Sequence, residues 1–320
     1  MMSPHDTTMP GGHHHTAAVH HSDEEFLAIV APFLRDGVTG GEVTLAALRP
    51  RRAALLRRAL PVTTPVTFLD QADAYATPAA TVRHYRDLLT QHVKDGADRV
   101  RLVGELDDPG HSTIWSPWAR YEAAINELFD DLPLWSLCLY DGRVVPAAVL
   151  DDVRRTHPWL VAPGGGQVRS PGFTDPRTFL AEHEPDLTAE GVPSGPATVT
   201  LHDPRPDRAR AAAQRCASEA DLDLPRAEGL VLAVSETVSN ALHHGLAPLR
   251  VRLWAEPGRV VVTVTDGGAG PADPFTGLVP ARRDRTEGGL GLWITHQVCD
   301  RVLTRRHDEG YTVALVVGTA

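Results

Sequence analysis

The chain reads as two α/β domains in series, and three observations predict this. Between Glu42 and Thr156, short apolar runs of strand character alternate with helical periods. Residues 163–196 then gather Gly164, Gly165 and Gly166 with prolines at 163, 171, 176, 185, 193 and 196, which is linker composition. Beyond it come two helical stretches and two pairs of β-branched runs folded about turn residues. The first pattern implies parallel βαβ units in a three-layer α/β domain. The second implies helices on one face of a mixed sheet, an α/β sandwich. The expected division is a flexible leader over 1–21, a first domain over 22–162, a linker over 163–196 and a second domain over 197–320.

Taken in order, the leader is polar and holds His5, His13, His14, His15, His20 and His21. A metal site is conceivable there, but no acidic or Cys partner shares the spacing. Asp23 to Leu34 is an amphipathic helix with Ser22 as N-cap and Glu25 completing a capping box. Gly37, Gly40 and Gly41 read as a turn. Strands are expected at Glu42–Leu48, Val66–Leu69, Arg99–Gly104 and Trp135–Tyr140. Helices are expected at Arg51–Leu60, Thr81–Lys94, Trp118–Phe129 and Pro146–Thr156, with at most a short one at Pro176–His183. The arginines Arg51, Arg52, Arg57 and Arg58 read mostly as a solvated face. In such a sheet ligands bind beyond the carboxyl ends of strands, where Glu105 and Asp141 fall.

In the second domain, Ala197–Leu201 is a strand and Arg208–Ala220 an Ala-rich helix. Pro225 opens the next helix as an N1 residue. Leu249–Trp254 and Arg259–Thr265 form a hairpin around Glu256-Pro-Gly258, and Val302–Arg306 and Tyr311–Val317 a second pair.

Composition narrows the class. The apolar fraction of 42% and charged fraction of 22% are those of a globular protein, and 320 residues suffice for two cores. The formal charge is −10, and from Ala197 onward acids and bases number 15 and 14, so most of the excess lies earlier. No basic patch points to direct nucleic-acid binding. Lys94 is the sole lysine, which excludes a P-loop, and Val38-Thr-Gly-Gly41 follows a helix without Lys-Ser/Thr. Cys138, Cys216 and Cys299 lack disulfide or metal spacing, so a reducing cytoplasmic setting is expected. No apolar run approaches a membrane span, and the N-terminus lacks a signal-peptide core.

The residues with chemistry lie in Leu232–Gly245, LAVSETVSNALHHG, and two glycine clusters. Leu230, Val231, Val234, Val238, Ala241 and Leu242 recur at spacings of three and four, so this is a helix with one buried face. Glu236 and Asn240 are four apart and share a face. The Asn oxygen can coordinate Mg²⁺ bridging phosphates, and the Glu can orient or deprotonate an attacking hydroxyl or water. Two polar residues on a solvated face is the bland alternative. Gly245 is a candidate C-terminal cap. Val260–Thr265 is a strand ending in Asp266-Gly-Gly-Ala-Gly270, where the carboxylate can accept a hydrogen bond from an adenine amine and glycines admit a base or phosphate. Gly288-Gly-Leu-Gly-Leu292 opens an apolar helix whose N-terminus suits an anion. An ordinary turn explains either glycine cluster alone; the three elements in this order point to a nucleotide pocket.

Glu236-x-x-x-Asn240-Ala-x-x-His243, Asp266-x-Gly268-x-Gly270 and Gly289-x-Gly291-Leu292 resemble the N, G1 and G2 boxes of the GHKL, or Bergerat-fold, ATPases. AVSETVSNALHHG is most similar to the anti-sigma-factor serine kinases and their actinobacterial relatives. The resemblance covers roughly 196–320. It implies ATP and Mg²⁺ as cofactors, Asn240 as Mg²⁺ ligand, Glu236 as catalytic base and Asp266 as adenine reader. His243, Gly268, Gly270 and the stretch Gly288, Gly289, Leu290, Gly291, Leu292 would line the nucleotide. Pro271–Glu287 would be a lid, with Arg282, Arg283 and Arg285 either near phosphates or solvated.

The first half resembles the MEDS sensory domain of methanogens and methylotrophs. The likeness rests on His15-x-Ala, Glu25-Phe26 and Pro32-Phe33-Leu34-x-x-Gly37, then Gly104-Glu105, Trp118-x-x-x-Glu122, Leu139-Tyr140-Asp141 and His157-Pro158. Relatives tend to carry Tyr where this chain has His20. The likeness covers roughly 12–162 and implies a RecA-like fold sensing a small-molecule signal. His15, Glu105, Trp118, Glu122 and Asp141 are the sensory candidates, with core or cap roles as the alternative.

Together these imply a signal-responsive ATP-dependent regulator. Its expected activity is a serine/threonine kinase acting on an anti-anti-sigma (STAS) partner. The alternatives are a nucleotide-gated module binding a sigma factor with little turnover, and a histidine-kinase-like sensor. Against the last, no helical hairpin with a phosphoacceptor His precedes residue 197, and His183 lies among prolines. The resemblance also suggests a homodimer through the ATPase half.

Overall fold

The computed structural model describes residues 12–70, 75, 77–106, 112–278 and 290–318. The chain divides into two compact units, with the division between Glu182 and His183. Each is taken by itself.

The first unit is built on a sheet of seven strands. They are β1 (His14–His20), β2 (Val43–Ala47), β3 (Thr67–Phe68), β4 (Val100–Glu105), β5 (Leu134–Asp141), β6 (Trp159–Val161) and β7 (Gln167–Arg169), in the order β3-β2-β4-β5-β1-β6-β7. All neighbours pair in parallel except β6 and β7. The helices are α1 (Asp23–Thr39), α2 (Pro50–Ala59), α3 (Pro78–Lys94), α4 (Ser112–Leu128), α5 (Ala147–Thr156) and α6 (Pro176–Glu182). Side chains alternate along β5. Leu137 and Leu139 join the apolar core that α1 and α2 supply through Phe26, Val30, Leu34, Ala53 and Leu56. Cys138 and Tyr140 face the other way, toward Glu122 of α4. The sheet is thus covered on both faces, the three-layer arrangement expected.

Three expectations fail in this unit. His14–His20 belongs to no flexible leader: it is β1, a buried strand between β5 and β6. Its His side chains are taken up by other elements: His14 Nε2 bonds Gln167 Oε1 at 2.5 Å and its ring meets Trp135, His15 Nδ1 bonds Asn126 Oδ1, and the His20 ring packs edge-on to Phe26. Gly37 is no turn residue, because α1 continues to Thr39. A Cβ there would stand 2.7 Å from Arg101 Cδ and 2.8 Å from Thr44 Cγ2, so glycine lets the helix lie close on the sheet. Arg52 is buried rather than solvated, 4% exposed, and bound to carboxylates.

The second unit has a five-stranded sheet of β8 (Val199–His202), β9 (Arg250–Glu256), β10 (Arg259–Asp266), β11 (Arg301–His307) and β12 (Gly310–Gly318), in the order β11-β12-β10-β9-β8. Every neighbouring pair is antiparallel, so the sheet is not mixed. The connections explain it. Helices α7 (Pro206–Glu219) and α8 (Leu224–His244) carry the chain out and back between β8 and β9, which returns β9 antiparallel. Helix α9 (Leu290–Val298) makes β11 run with β10, but β12 lies between them.

Helices α7, α8 and α9 pack on one sheet face. Ala213, Cys216, Leu230, Val234, Val238 and Leu292 meet Val251, Val262, Val264 and Leu315. The opposite face shows why 163–196 is not one linker. Val192, with Leu187 and Ala197 beside it, packs on Trp254, Val261, Leu303 and Val316. Trp254 Nε1 donates to the Gly195 carbonyl (3.1 Å) and Arg259 Nη2 to that of Gly191 (2.6 Å). A fully buried Val or Leu side chain is worth about 1.5–3 kcal/mol, enough to hold a proline-rich strap in place. At the other end of the expected linker, β7 and α6 belong to the first unit.

Candidate functional site

The topology of the second unit brings three chain segments to one end of the sandwich: the C-terminal half of α8, the end of β10 and the start of α9. Asp223 caps α8, its side chain accepting from the Arg226 amide, and the helix runs to a cap at Gly245. Its buried stripe of Leu230, Ala233, Val234, Thr237 and Val238 leaves Glu236 and Asn240 half-buried on a neighbouring face. A Cβ on Gly291 would stand 2.6 Å from Glu236 Oε2 and 3.3 Å from Asn240 Nδ2. The first turn of α9 therefore closes against both side chains, and only glycine leaves the gap between them open.

Asp266, at the end of β10, is 7% exposed. Its Oδ1 accepts from the amides of Gly268 (2.7 Å) and Leu246 (3.3 Å). A Cβ on Gly245 would lie 2.5 Å from that oxygen, and one on Gly268 2.7 Å. Gly245 does end the helix, but at φ −85 rather than in the left-handed region. Close approach of the helix end to Asp266 is what demands glycine there. With Oδ1 occupied, Oδ2 takes no hydrogen bond among the described residues and can accept from an amine.

The remaining positions divide. Gly270 sits at φ +70 against the Tyr311 ring. Leu292 is core, Leu290 is 56% exposed, and His243 is exposed with Nδ1–H donating to the Ser239 carbonyl at 2.7 Å. Gly288, Gly289, Arg282, Arg283 and Arg285 lie outside the described residues. Of the expected lid, Pro271–Leu278 is described. Phe275 is buried, and a Cβ on Gly277 would stand 2.7 Å from Leu292 Cγ. Carboxylate, amide oxygen, helix N-terminus and a glycine-kept gap are a donor and acceptor set that fits a magnesium nucleotide.

The sensory candidates of the first unit fall into three places. Glu105 and Asp141 end adjacent strands and meet at Arg52. Its Nη2 donates to Asp141 Oδ2 (2.8 Å), its Nη1 to Asp23 Oδ1 (2.7 Å), and its Nε lies 3.9 Å from Glu105 Oε1. Hydrogen bonds from Arg143 hold the Asp141 carboxyl well below the usual carboxylate range. Burial pushes Glu105 up, against the Arg49 amide and the Arg49 and Arg52 charges. Trp118 is an aromatic core residue between Tyr75 and Tyr121. His15 and Glu122 form a third group on the opposite sheet face, with His157 and Cys138. Cys138 was not expected there, although period-two alternation along β5 puts it beside Tyr140 on one face.

Residues 14–158 match the family described as MEDS: MEthanogen/methylotroph, DcmR Sensory domain. Residues 203–317 match the histidine kinase-like ATPase domain. The chain thus couples a MEDS sensory domain to a GHKL-type ATP-binding domain, an architecture of signal transduction. A search of curated proteins returned no match.

Among solved structures, it is similar to the RsbU and RsbW domains of Rv1364c from Mycobacterium tuberculosis, with 22% identity and a TM-score of 0.28 over 38% of this chain. The similarity spans about a third of that chain's length, 32%. The mycobacterial sensor histidine kinase MprB is 22% identical over 35% of this chain and 91% of its own, with a TM-score of 0.26. The histidine kinase domain of the E. coli osmosensor EnvZ is 16% identical over 40% and 93%, with a TM-score of 0.24. No helix among the described residues is long and apolar enough to cross a membrane.

Proposed function

We propose that the protein is an ATP-dependent serine/threonine kinase acting on a STAS-type anti-anti-sigma partner, under control of a small-molecule signal read by its MEDS unit. The observation that carries this reading is the placement of Glu236 and Asn240 one turn apart with the Gly291 backbone closed against both. Bound Mg-ATP would supply the phosphoryl group and the charge neutralisation of its transfer. Asn240 Oδ1 would hold the cation, and Asp266 Oδ2 would accept from the adenine amine. Glu236 would accept the proton of the partner's hydroxyl and orient its oxygen. The amides of the first turn of α9 would face phosphate oxygens.

Glu236 supports a catalyst over a simple binder, because a binding module has no use for a general base at this place. The histidine-kinase alternative needs a phosphoacceptor helix ahead of β8. Among the described residues, 183–198 contains no helix.

The test is phosphotransfer from labelled Mg-ATP to a panel of STAS-domain proteins of the same genome, with Glu236→Ala as control. Label on a partner Ser or Thr, lost in the variant, establishes the kinase. ATP binding with no label on any partner, together with capture of a sigma factor, would establish the nucleotide-gated binder instead. Unchanged Mg-ATP affinity in Asn240→Ala would overturn the pocket itself.

A further inference from the structure

Two imidazoles, a carboxylate and a thiol converge under α4 in the first unit. One ligand-type atom from each of His15, Glu122, Cys138 and His157 lies within 4.8 Å of all the others. His15 Nε2 is 3.2 Å from Glu122 Oε2 and 3.4 Å from Cys138 Sγ. His157 Nε2 is 3.5 Å from the same carboxylate oxygen, and Cys138 Sγ 3.8 Å from it. His15, Glu122 and His157 are each at most 1% exposed.

The tautomers of both rings follow from their outer partners. Asn126 Nδ2 donates to the carbonyls of Glu122 (3.0 Å), Ala123 (3.1 Å) and Thr156 (2.8 Å). That fixes Asn126 Oδ1 as the atom facing His15, so His15 Nδ1–H donates to it at 3.1 Å. His157 Nδ1–H donates to the Val153 carbonyl at 2.9 Å. In each neutral ring Nε2 is then a bare lone pair aimed at the Glu122 carboxylate. Like-signed lone pairs at this range repel, and His157 Nε2 takes no hydrogen bond. A proton shared between Glu122 and one ring, with the Cys138 thiol donating to His15 Nε2 at 3.4 Å, satisfies the cluster only through long contacts. A buried dication satisfies both rings, together with the carboxylate and the sulfur.

We propose that His15, Glu122, Cys138 and His157 bind one transition-metal dication of the zinc class. The donor set, two imidazole nitrogens, one carboxylate oxygen and one thiolate, selects borderline metals over Mg²⁺ or Ca²⁺. Zinc bonds of about 2.0–2.3 Å place tetrahedral ligands roughly 3.3–3.6 Å apart, close to the separations above. The outer hydrogen bonds to Asn126 and Val153 are the kind that orient metal-bound imidazoles. Tyr140 OH donates to Glu122 Oε1 at 3.2 Å and fixes the carboxylate as well. Four protein ligands leave no open position, so the ion holds structure rather than meeting a substrate. It ties β1, α4, β5 and the end of α5 together. Binding releases the Cys138 thiol proton to solvent as the metal–sulfur bond forms. None of these residues belongs to the nucleotide pocket, so the proposal stands apart from the kinase reading.

The full chain, expressed in zinc-replete medium and washed with chelator, is assayed for metal by mass spectrometry. About one zinc-class ion per chain is expected. Protein grown with Co²⁺ should show tetrahedral ligand-field bands and a thiolate-to-cobalt charge-transfer band. Cys138→Ser should abolish the latter. Folded wild-type protein without tightly held metal and without the charge-transfer band overturns the proposal. So does a charge-transfer band that survives in Cys138→Ser. The cobalt spectrum of the wild type decides alone if the variant does not fold. Mg-ATP binding measured on the same preparation separates this outcome from failure of the kinase reading.

Discussion

The backbone of Gly291 lies against the carboxylate of Glu236, so closely that a methyl group on the glycine would stand 2.6 Å from Oε2. Gly291→Ala must therefore displace Glu236 or back α9 away from α8. The Glu side chain is half-buried and its tip can move, so the fold should survive. The displaced carboxylate and the added methyl then fill the gap, and Mg-ATP affinity by calorimetry should fall roughly tenfold, about 1.4 kcal/mol. Unchanged affinity would mean that the gap is not where the nucleotide sits.

Asp266→Asn separates two roles of one side chain. The amide keeps an oxygen for the amides of Gly268 and Leu246, so thermal stability should change little. It then turns an NH₂ group toward any bound adenine amine. A hydrogen bond to a charged acceptor is worth about 1.5–3 kcal/mol, so ATP should bind roughly 10- to 100-fold more weakly. Equal affinity with an intact melting curve would remove adenine recognition from Asp266.

Arg52 is 4% exposed and faces Asp23, Asp141 and Glu105. Arg52→Met removes the cation and leaves the carboxylates facing one another. Breaking a buried ion pair from one side costs about 3–5 kcal/mol, and denaturant titration of the first unit's unfolding should find a loss in that range. A change below 1 kcal/mol, on the order of a surface pair, would show that water already screens the cluster.

His20 gives the first unit a pH dependence. Both ring nitrogens are buried without a hydrogen-bond partner, and the ring lies edge-on to Phe26. Burial, reinforced by Arg52 and Arg143 and opposed by Asp141 and Asp23, lowers its pKa to about 4. The unfolded chain binds this proton near pH 6.5, the folded chain only near pH 4. Stability is therefore present above pH 6.5 and falls as the pH drops toward 4, by on the order of 2–3 kcal/mol. His20→Phe should flatten that part of the stability profile. A profile of equal slope in both proteins would assign the loss to other groups.

The strap over the outer face of the second unit is open to a direct test. A fragment beginning at His183 keeps Leu187, Val192 and Ala197 over Trp254 and Val261. One beginning at Thr198 strips that cover and exposes an apolar patch. The longer fragment should be monomeric or dimeric in solution, and the shorter should aggregate on size exclusion.

The helix of Glu236 and Asn240 could be read from the sequence because its apolar residues recur at the helical period and its ends carry Pro225 and Gly245, although Asp223 was not expected as its cap. The hairpins were equally legible from β-branched runs broken by Gly258 and Gly310. β1 was hidden, since His14–His20 spells HHTAAVH, polar in composition yet buried on both faces. Histidine fits a buried strand only when partners from distant segments meet it, and no local pattern announces Asn126 or Gln167. For the same reason Cys138 looked isolated: its neighbours are more than a hundred residues upstream or on other elements. The antiparallel second sheet follows from counting helices between strands, a property of topology rather than of any one residue.

The position of β1 also sets an order of events at synthesis. His14–His20 pairs along its whole length with Trp135–Asp141, over a hundred residues later in the chain. On the ribosome this strand emerges before its partners and must wait, unpaired, while β2, β4 and their helices are made. Its partners on both sides arrive only with β5 and β6. A polar, histidine-bearing strand waits more safely than a run of valines, which would invite pairing with other nascent chains. The composition that disguised β1 as a leader is suited to a segment that enters the sheet late.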